Sequence, residues 1–287
     1  MKSVAIIGIG RMGGSLAYAL DKNGFTVRQF IAHHTEVALE VARNLKNKPQ
    51  VLESEQLDEV DADVVLIATG DDKIAEIAKS LPKTQHQTVL LHLSGSRSSS
   101  VLSPAKSSGY LIGSVHPLVS LSDAVSGAER FAGAYFCLEG EPEAVKFGTE
   151  FVEALGGKSF TISSDAKPLY HAAAVTSSGN LVALIDFAYE MLRECGLDVE
   201  TAKQILLPLV FSTIENLKTR STAAALTGPF ARGDVETVEA HINAIGEKCA
   251  PDVKEIYLKL AIRSVKLAME SGLSRDRAKM ILELLNR

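Results

Sequence analysis

Apolar residues in the first half of the chain fall in short continuous runs, at residues 4–7, 25–31, 64–68, 89–93 and 110–115. Between them lie stretches at 35–46, 72–80 and 99–108 whose apolar positions recur at helical spacing. Repeated strand and helix units predict an α/β fold built on a parallel sheet with helices on both faces. A strand at 134–138, a helix at 143–155 and a strand at 158–161 continue the pattern. After Ser163-Ser164-Asp165 the texture changes. Long helical patterns cover 166–195, 199–217, 235–245, 250–271 and 274–285, with Gly196 and Gly272 as C-terminal stops. The expected organisation is a Rossmann-type sheet domain at 1–163 and an all-helical domain at 164–287.

The first strand runs into Gly8-Ile9-Gly10-Arg11-Met12-Gly13, and the next helix follows at once. A glycine string in that order of strand, turn and helix start points to a dinucleotide. Gly8 permits the tight turn, Gly10 lets the backbone approach a pyrophosphate, and Gly13 lets the helix pack on the strand. Arg11 and Met12 sit at the helix start, whose free amides and dipole favour an anion. Glycine-rich turns also occur in α/β proteins that bind nothing there. The tip of the second strand decides which dinucleotide is expected. An acidic residue there would accept from a ribose hydroxyl, but the chain carries His33-His34-Thr35. Two imidazoles and a hydroxyl suit a 2′-phosphate, which favours NADP over NAD. The competing reading makes His33 and His34 solvated residues ahead of a helix, with Glu36 left to serve NAD. Ala68 and Thr69, at a later strand end, are candidates for the nicotinamide-side ribose, and Asp72 reads as a helix N-cap.

A net charge of −5 gives no attraction to nucleic acid or an anionic membrane. No apolar run approaches the length of a membrane span, and Arg11 interrupts the first run too early for a signal peptide. The three cysteines, Cys137, Cys195 and Cys249, are odd in number and lack metal-site spacing. The expectation is a cytoplasmic protein with free thiols, no metal and a small-molecule substrate.

His92-Leu93-Ser94-Gly95, Gly113-Ser114-Val115-His116-Pro117-Leu118, Lys167-Pro168-Leu169-Tyr170-His171 and Leu226-Thr227-Gly228-Pro229 follow in order along the chain. Together with the glycine motif, they resemble a little-characterised bacterial family that joins a Rossmann-like domain to a helical domain of unknown function. The resemblance implies an NADP-dependent oxidoreductase. More distantly, the chain is similar to pyrroline-5-carboxylate reductase, β-hydroxyacid dehydrogenases and prephenate dehydrogenase. That implies a helical half of the 6-phosphogluconate dehydrogenase C-terminal kind and a homodimer formed through it. The Gly-Ser-x-His-Pro segment maps the assisting histidine of prephenate dehydrogenase onto His116. The lysine of the β-hydroxyacid enzymes maps onto Lys167, with His171 where they carry asparagine.

At about 100° per residue, Lys167, His171 and Ser178 share one side of a continuous helix, although Ser178 lies roughly 10 Å along the axis from His171. Lys167 and His171 are therefore the expected acid/base groups, with His116 supporting them. Ser94, Gly95, Ser96, Ser178 and Arg232 are candidates for holding substrate. Each has a plainer reading. Lys167 before Pro168 also fits a solvated helix start, His171 among alanines a packing residue, and His116 before Pro117 a strand-end turn. Ser94 to Ser96 also suit a turn, and Arg232 a loop in which Asp234 caps the next helix. The expected reaction is hydride transfer between a nicotinamide and a small keto/hydroxy or imine/amine compound. The alternative is an NADP-sensing protein without turnover.

Overall fold

A computed structural model describes residues 2–287, and the apolar runs become strands where they are covered on both faces. The first part of the chain forms β1 (Ser3–Ile7), α1 (Arg11–Lys22), β2 (Thr26–Ala32), α2 (Thr35–Arg43), β3 (Gln50–Glu53), β4 (Val64–Ile67) and α3 (Ile74–Ser80). It continues through β5 (Thr88–His92), β6 (Tyr110–Pro117), α4 (Ala124–Gly127), β7 (Tyr135–Gly140), α5 (Pro142–Ala154), β8 (Lys158–Thr161) and α6 (Lys167–Ser177). Then come α7 (Gly179–Glu194), α8 (Val199–Thr219), α9 (Thr222–Ala225), α10 (Pro229–Arg232), α11 (Val235–Lys248), α12 (Pro251–Glu270) and α13 (Arg275–Leu285).

The strands form one sheet in the order β3-β2-β1-β4-β5-β6-β7-β8. Strands β1 to β6 are parallel, and the order reverses between β1 and β4, the place where Rossmann sheets open a ligand crevice. Alternation along the strands feeds two apolar layers. Val4, Ile6, Phe30, Leu66 and Leu91 pack with Leu16, Leu20 and Phe151 on one face. Ala5, Ile7, Ile31, Val65 and Leu90 pack with Ile74, Ile77 and Leu102 on the other.

Two strands at the far edge run the other way. The β6–β7 connection makes no full crossover: Ser15 of α1 bonds the Asp123 carbonyl, and Leu118 N–H bonds the Tyr135 carbonyl at 2.9 Å. The chain thus re-enters the sheet at the end it left, and β7 pairs antiparallel with β6. The apolar pattern misses β3, an edge strand in which only Leu52 is buried. The helix expected at 99–108 forms as 3-10 turns containing Pro104.

The helix expected over 166–195 is divided. Thr176 and Ser177 turn their hydroxyls back onto the Ala172 and Ala174 carbonyls, a habit that bends helices, and Ser178 leaves helical geometry at φ −124°. Ser178 is therefore off the stripe drawn for a continuous helix, and it is exposed. The first compact unit ends at Ser178 and the second spans Gly179–Arg287, so α6 belongs with the sheet although helical texture begins near Ser163. The second unit has its own core of Val238, Ala261, Val265, Ala278 and Ile281. Among the described residues no helix is long and apolar enough to cross a membrane.

A Cβ on Gly13 would collide with the Gly8 carbonyl and meet Ala68 Cβ at 3.3 Å. Gly13→Ala is therefore expected to destabilise the protein by about 1–3 kcal/mol, measured by urea unfolding.

Candidate active site

At the carboxyl end of β1, Gly8 adopts φ +95° while its N–H bonds the Ile31 carbonyl at 2.8 Å. A Cβ there would press on Thr69 Cγ2 at 2.8 Å and on the Ala68 carbonyl at 3.0 Å, so Gly8, Ala68 and Thr69 form one wall. Gly10 differs. It caps α1 without a side-chain partner, and nothing lies within 4 Å of where its Cβ would stand. No protein atom demands glycine at that position, whereas the close approach of a ligand to the backbone would. Arg11 is exposed and reaches the Leu121 carbonyl at 3.5 Å; Met12 packs on the core. His33 and His34 are exposed at the end of β2 with their rings edge to face, 5.0 Å apart. These residues fit a dinucleotide phosphate at α1 and an anionic group near the paired imidazoles. Asp72 does not cap α3, whose cap position is Lys73.

The second group lies at the ends of β5, β6 and β7. His92 pairs with Ser114 and Ser114 with Glu139, so the three side chains form a row on one sheet face. All are buried. Lys167, at the start of α6, inserts into this row with 0% exposure. Its ammonium donates to the Ser94 carbonyl at 2.9 Å and to Ser114 Oγ, and lies 3.5 Å from Glu139 Oε1. The Glu139 carboxylate also accepts from Ser99 N–H at 2.6 Å, Ser99 Oγ at 2.8 Å and Ser164 Oγ at 2.6 Å. Burial acts to raise the Glu139 pKa, but the Ser164 and Ser99 hydrogen bonds and the Lys167 charge outweigh it and hold the group below the ordinary value. Burial lowers the Lys167 pKa, against the pull of Glu139.

Lys167, expected to face the substrate as an acid or base, is instead fully buried, hydrogen-bonded to Ser94 and Ser114 and ion-paired with Glu139. The imidazoles are placed otherwise. His116 Nδ1 lies 2.7 Å from the Tyr170 hydroxyl, and its ring stands edge to face with His171 at 5.5 Å. Both rings close on Gly95: a Cβ there would meet His116 Cε1 and Nε2 at 2.7 Å and collide with His171 Nδ1. Burial, with the charges of His171 and Lys167, pushes His116 down to about 4, and burial with Lys167 does the same to His92. His171 Nδ1 is buried without a hydrogen-bond partner. Ser94 Oγ accepts from the Ser96 and Arg97 amides, and Ser96 Oγ donates to Asp71 at 2.6 Å. Beside this turn a cavity of about 400 Å3 is lined by Ser96, Arg97, Ser98, Ser100 and Ser164.

Lys167, His171, His116, Ser94, Gly95 and Ser96 therefore gather in one place, as the sequence leads one to expect. Ser178 does not join them, for the reason given above. Arg232 lies in the second unit, exposed at the end of α10, where Asp234 caps α11 by accepting from Thr237 N–H at 3.1 Å. Sequence reasoning gave no role to Glu139, His92, Ser114, Tyr170 or Asp71. Glu139 leaves one trace in the sequence, an acid directly following the apolar run of β7.

Residues 1–117 match a family model described as a Rossmann-like domain, and residues 134–264 match the domain of unknown function DUF2520. Among solved structures, a protein from Thermotoga maritima shares the fold with a TM-score of 0.74 at 24% identity, over 93% of this chain and 99% of that one. A reductive aminase from Aspergillus terreus in complex with NADPH and ethyl-5-oxohexanoate has a TM-score of 0.69 at 16% identity, over 98% of each chain. A pyrroline-5-carboxylate reductase from Coxiella burnetii has 0.59 at 16%, over 95% of this chain and 99% of that one. The chain also matches a glycerol-3-phosphate dehydrogenase [NAD(P)+] of Leuconostoc citreum, 34% identical over 107 residues, 32% of this chain. It spans about a third of the length of the curated relatives it matches.

Two outcomes follow from the buried charges. Glu139→Gln leaves the Lys167 ammonium without its counter-ion and is expected to cost about 3–5 kcal/mol in urea unfolding, much of it recovered by adding Lys167→Met. His92 and His116 titrate near 4 in the fold against an ordinary 6.5, so between those values the unfolded chain binds protons that the fold refuses. Stability, followed as the urea midpoint, is expected to fall as pH drops from 6.5 to 4, less steeply in His116→Gln.

Proposed function

We propose that this chain is a cytoplasmic, NADP-dependent oxidoreductase that moves a hydride between the nicotinamide and a small polar substrate, a keto/hydroxy or imine/amine compound. The observation that carries this reading is the convergence of His116 and His171 on Gly95, beside a buried Lys167–Glu139 pair, at the carboxyl ends of the strands. Bound NADP would supply the hydride chemistry itself. The chain's own residues hold and orient. Gly8, Gly10 and Gly13, with the α1 amides of Arg11 and Met12, receive the pyrophosphate. His33 and His34 receive the 2′-phosphate, and Ala68 and Thr69 border the nicotinamide-side ribose. Ser94, Gly95 and Ser96 bound the substrate. His171, with a free ring nitrogen, is the acid/base group, and His116 hydrogen-bonds the reacting atom. Lys167 holds the Ser94 carbonyl and Ser114 in place.

The reductive aminase and the pyrroline-5-carboxylate reductase, which share this fold, favour the imine/amine side of the substrate class. A homodimer belongs to the same reading. Among the described residues, α7 buries no side chain and α8 only Ala202, while Leu209 is 62% and Phe211 64% exposed on α8. An apolar helical face of that kind is usually covered by a partner, here a second copy.

NADPH is expected to raise the melting temperature more than NADH, and a His33→Ala, His34→Ala variant to erase the difference. NADPH oxidation would be followed with a panel of ketones, ketone–amine mixtures and cyclic imines. His171→Ala is expected to lower turnover roughly 10²- to 10⁴-fold. Tight NADPH binding with no turnover across the panel would favour a cofactor-sensing protein. A monomer in sedimentation would remove the homodimer.

A further inference from the structure

We infer that Tyr170 is a positioning residue that fixes His116 with its single proton on Nε2, so that this N–H points across Gly95 beside the unpaired Nδ1 of His171. The inference rests on the oxidoreductase reading of the site and gives its two histidines different jobs. Lys167 does not share them: it is fully buried, donates to Ser94 and Ser114 and is ion-paired with Glu139.

The argument begins on β6 and β7. His116 pairs directly with Cys137 in the antiparallel ladder, so both side chains leave the same sheet face. Tyr170, one turn into α6, places its hydroxyl 2.7 Å from His116 Nδ1. A phenol has one proton to give and can accept another. Cys137 is fully buried, and burial raises its pKa, so it stays a thiol rather than a thiolate that would draw the Tyr170 proton. Burial likewise raises the Tyr170 pKa, so the phenol keeps its proton and donates it to His116 Nδ1. The order is Tyr170 O–H to His116 Nδ1.

With Nδ1 an acceptor, the proton of a neutral imidazole lies on Nε2. His116 is neutral at physiological pH because the buried ring, facing His171 and Lys167, titrates near 4. Nε2 is the atom that closes on Gly95, where a Cβ would stand 2.7 Å away, and His171 Nδ1 closes on the same point. A donor N–H and an unpaired ring nitrogen thus stand close together beside one glycine. In the proposed reaction a carbonyl oxygen or imine nitrogen accepts from this His116 N–H. A neutral imidazole is a very weak acid, so His116 polarises this atom by hydrogen bonding while its own proton stays on the ring. Without the Tyr170 hydroxyl, the proton is free to occupy either ring nitrogen.

The test reads the tautomer directly. In protein labelled with nitrogen-15 in its histidine rings, long-range proton–nitrogen spectra at neutral pH are expected to show His116 protonated on Nε2 and bare on Nδ1. In Tyr170→Phe, which keeps the ring that packs on Phe160 at 5.9 Å, His116 is expected to become a mixture of tautomers. Its kcat should fall roughly 10- to 100-fold, less than on losing a transition-state donor outright, with NADPH affinity unchanged. A proton on Nδ1 in the parent protein overturns the inference, and that measurement needs no variant to fold. It is also overturned if Tyr170→Phe keeps the parent tautomer, or keeps the parent kcat on a substrate that His116→Ala fails to turn over. If no substrate is found, the oxidoreductase reading fails, while the spectra of the free protein still decide the tautomer.

Discussion

The buried pairing of Lys167 with Glu139 is the constraint on which the site depends. Either charge alone would be expensive away from water, and the pair is tolerated because hydrogen bonds with Ser94, Ser114, Ser99 and Ser164 surround it. Those partners come from separate elements: Ser94 after β5, Ser114 on β6, Glu139 on β7, Ser99 at the 3-10 turns and Ser164 ahead of α6. The pair therefore ties the first turn of α6 to β5, β6 and β7. Moving any of these parts would strand a charge or a hydroxyl in the interior.

Fixing α6 in this way sets the position of the residues one turn along it. Tyr170 and His171 reach His116 and Gly95 because Lys167 pins the helix start, and the glycine is required because two rings already fill the place of a side chain. The same burial keeps His92 and His116 uncharged near neutrality, with the Lys167 ammonium adding to the effect. The site thus holds one resident ion pair and several neutral hydrogen-bonding rings.

The dinucleotide side obeys a simpler rule. Gly8 and Gly13 are glycines because protein atoms occupy the space a side chain would need, whereas Gly10 faces open space at the cap of α1. The difference separates what the fold requires of the motif from what a ligand requires of it.

Local patterning determined most of the frame. A buried strand, a glycine turn and an amphipathic helix are written in neighbouring residues, so β1, the Gly8 to Gly13 motif and α1 were legible, as were the other strands with several buried residues. The edge strand β3, with Leu52 its single buried residue, was not, whereas β8 at the opposite edge was. Nor was the break at Ser178, which depends on hydroxyls turning back onto the helix. Lys167, His171 and His116 could be named from residue type and resemblance, but Glu139 could not be joined to them. It meets Lys167 because β7 returns antiparallel beside β6 and puts Glu139 opposite Ser114. The sequence by itself thus determined the α/β frame, the dinucleotide motif and the candidate side chains. Only the tertiary structure decided which ones share a proton or a charge, because those pairings join residues far apart in the chain and are set by strand direction and burial.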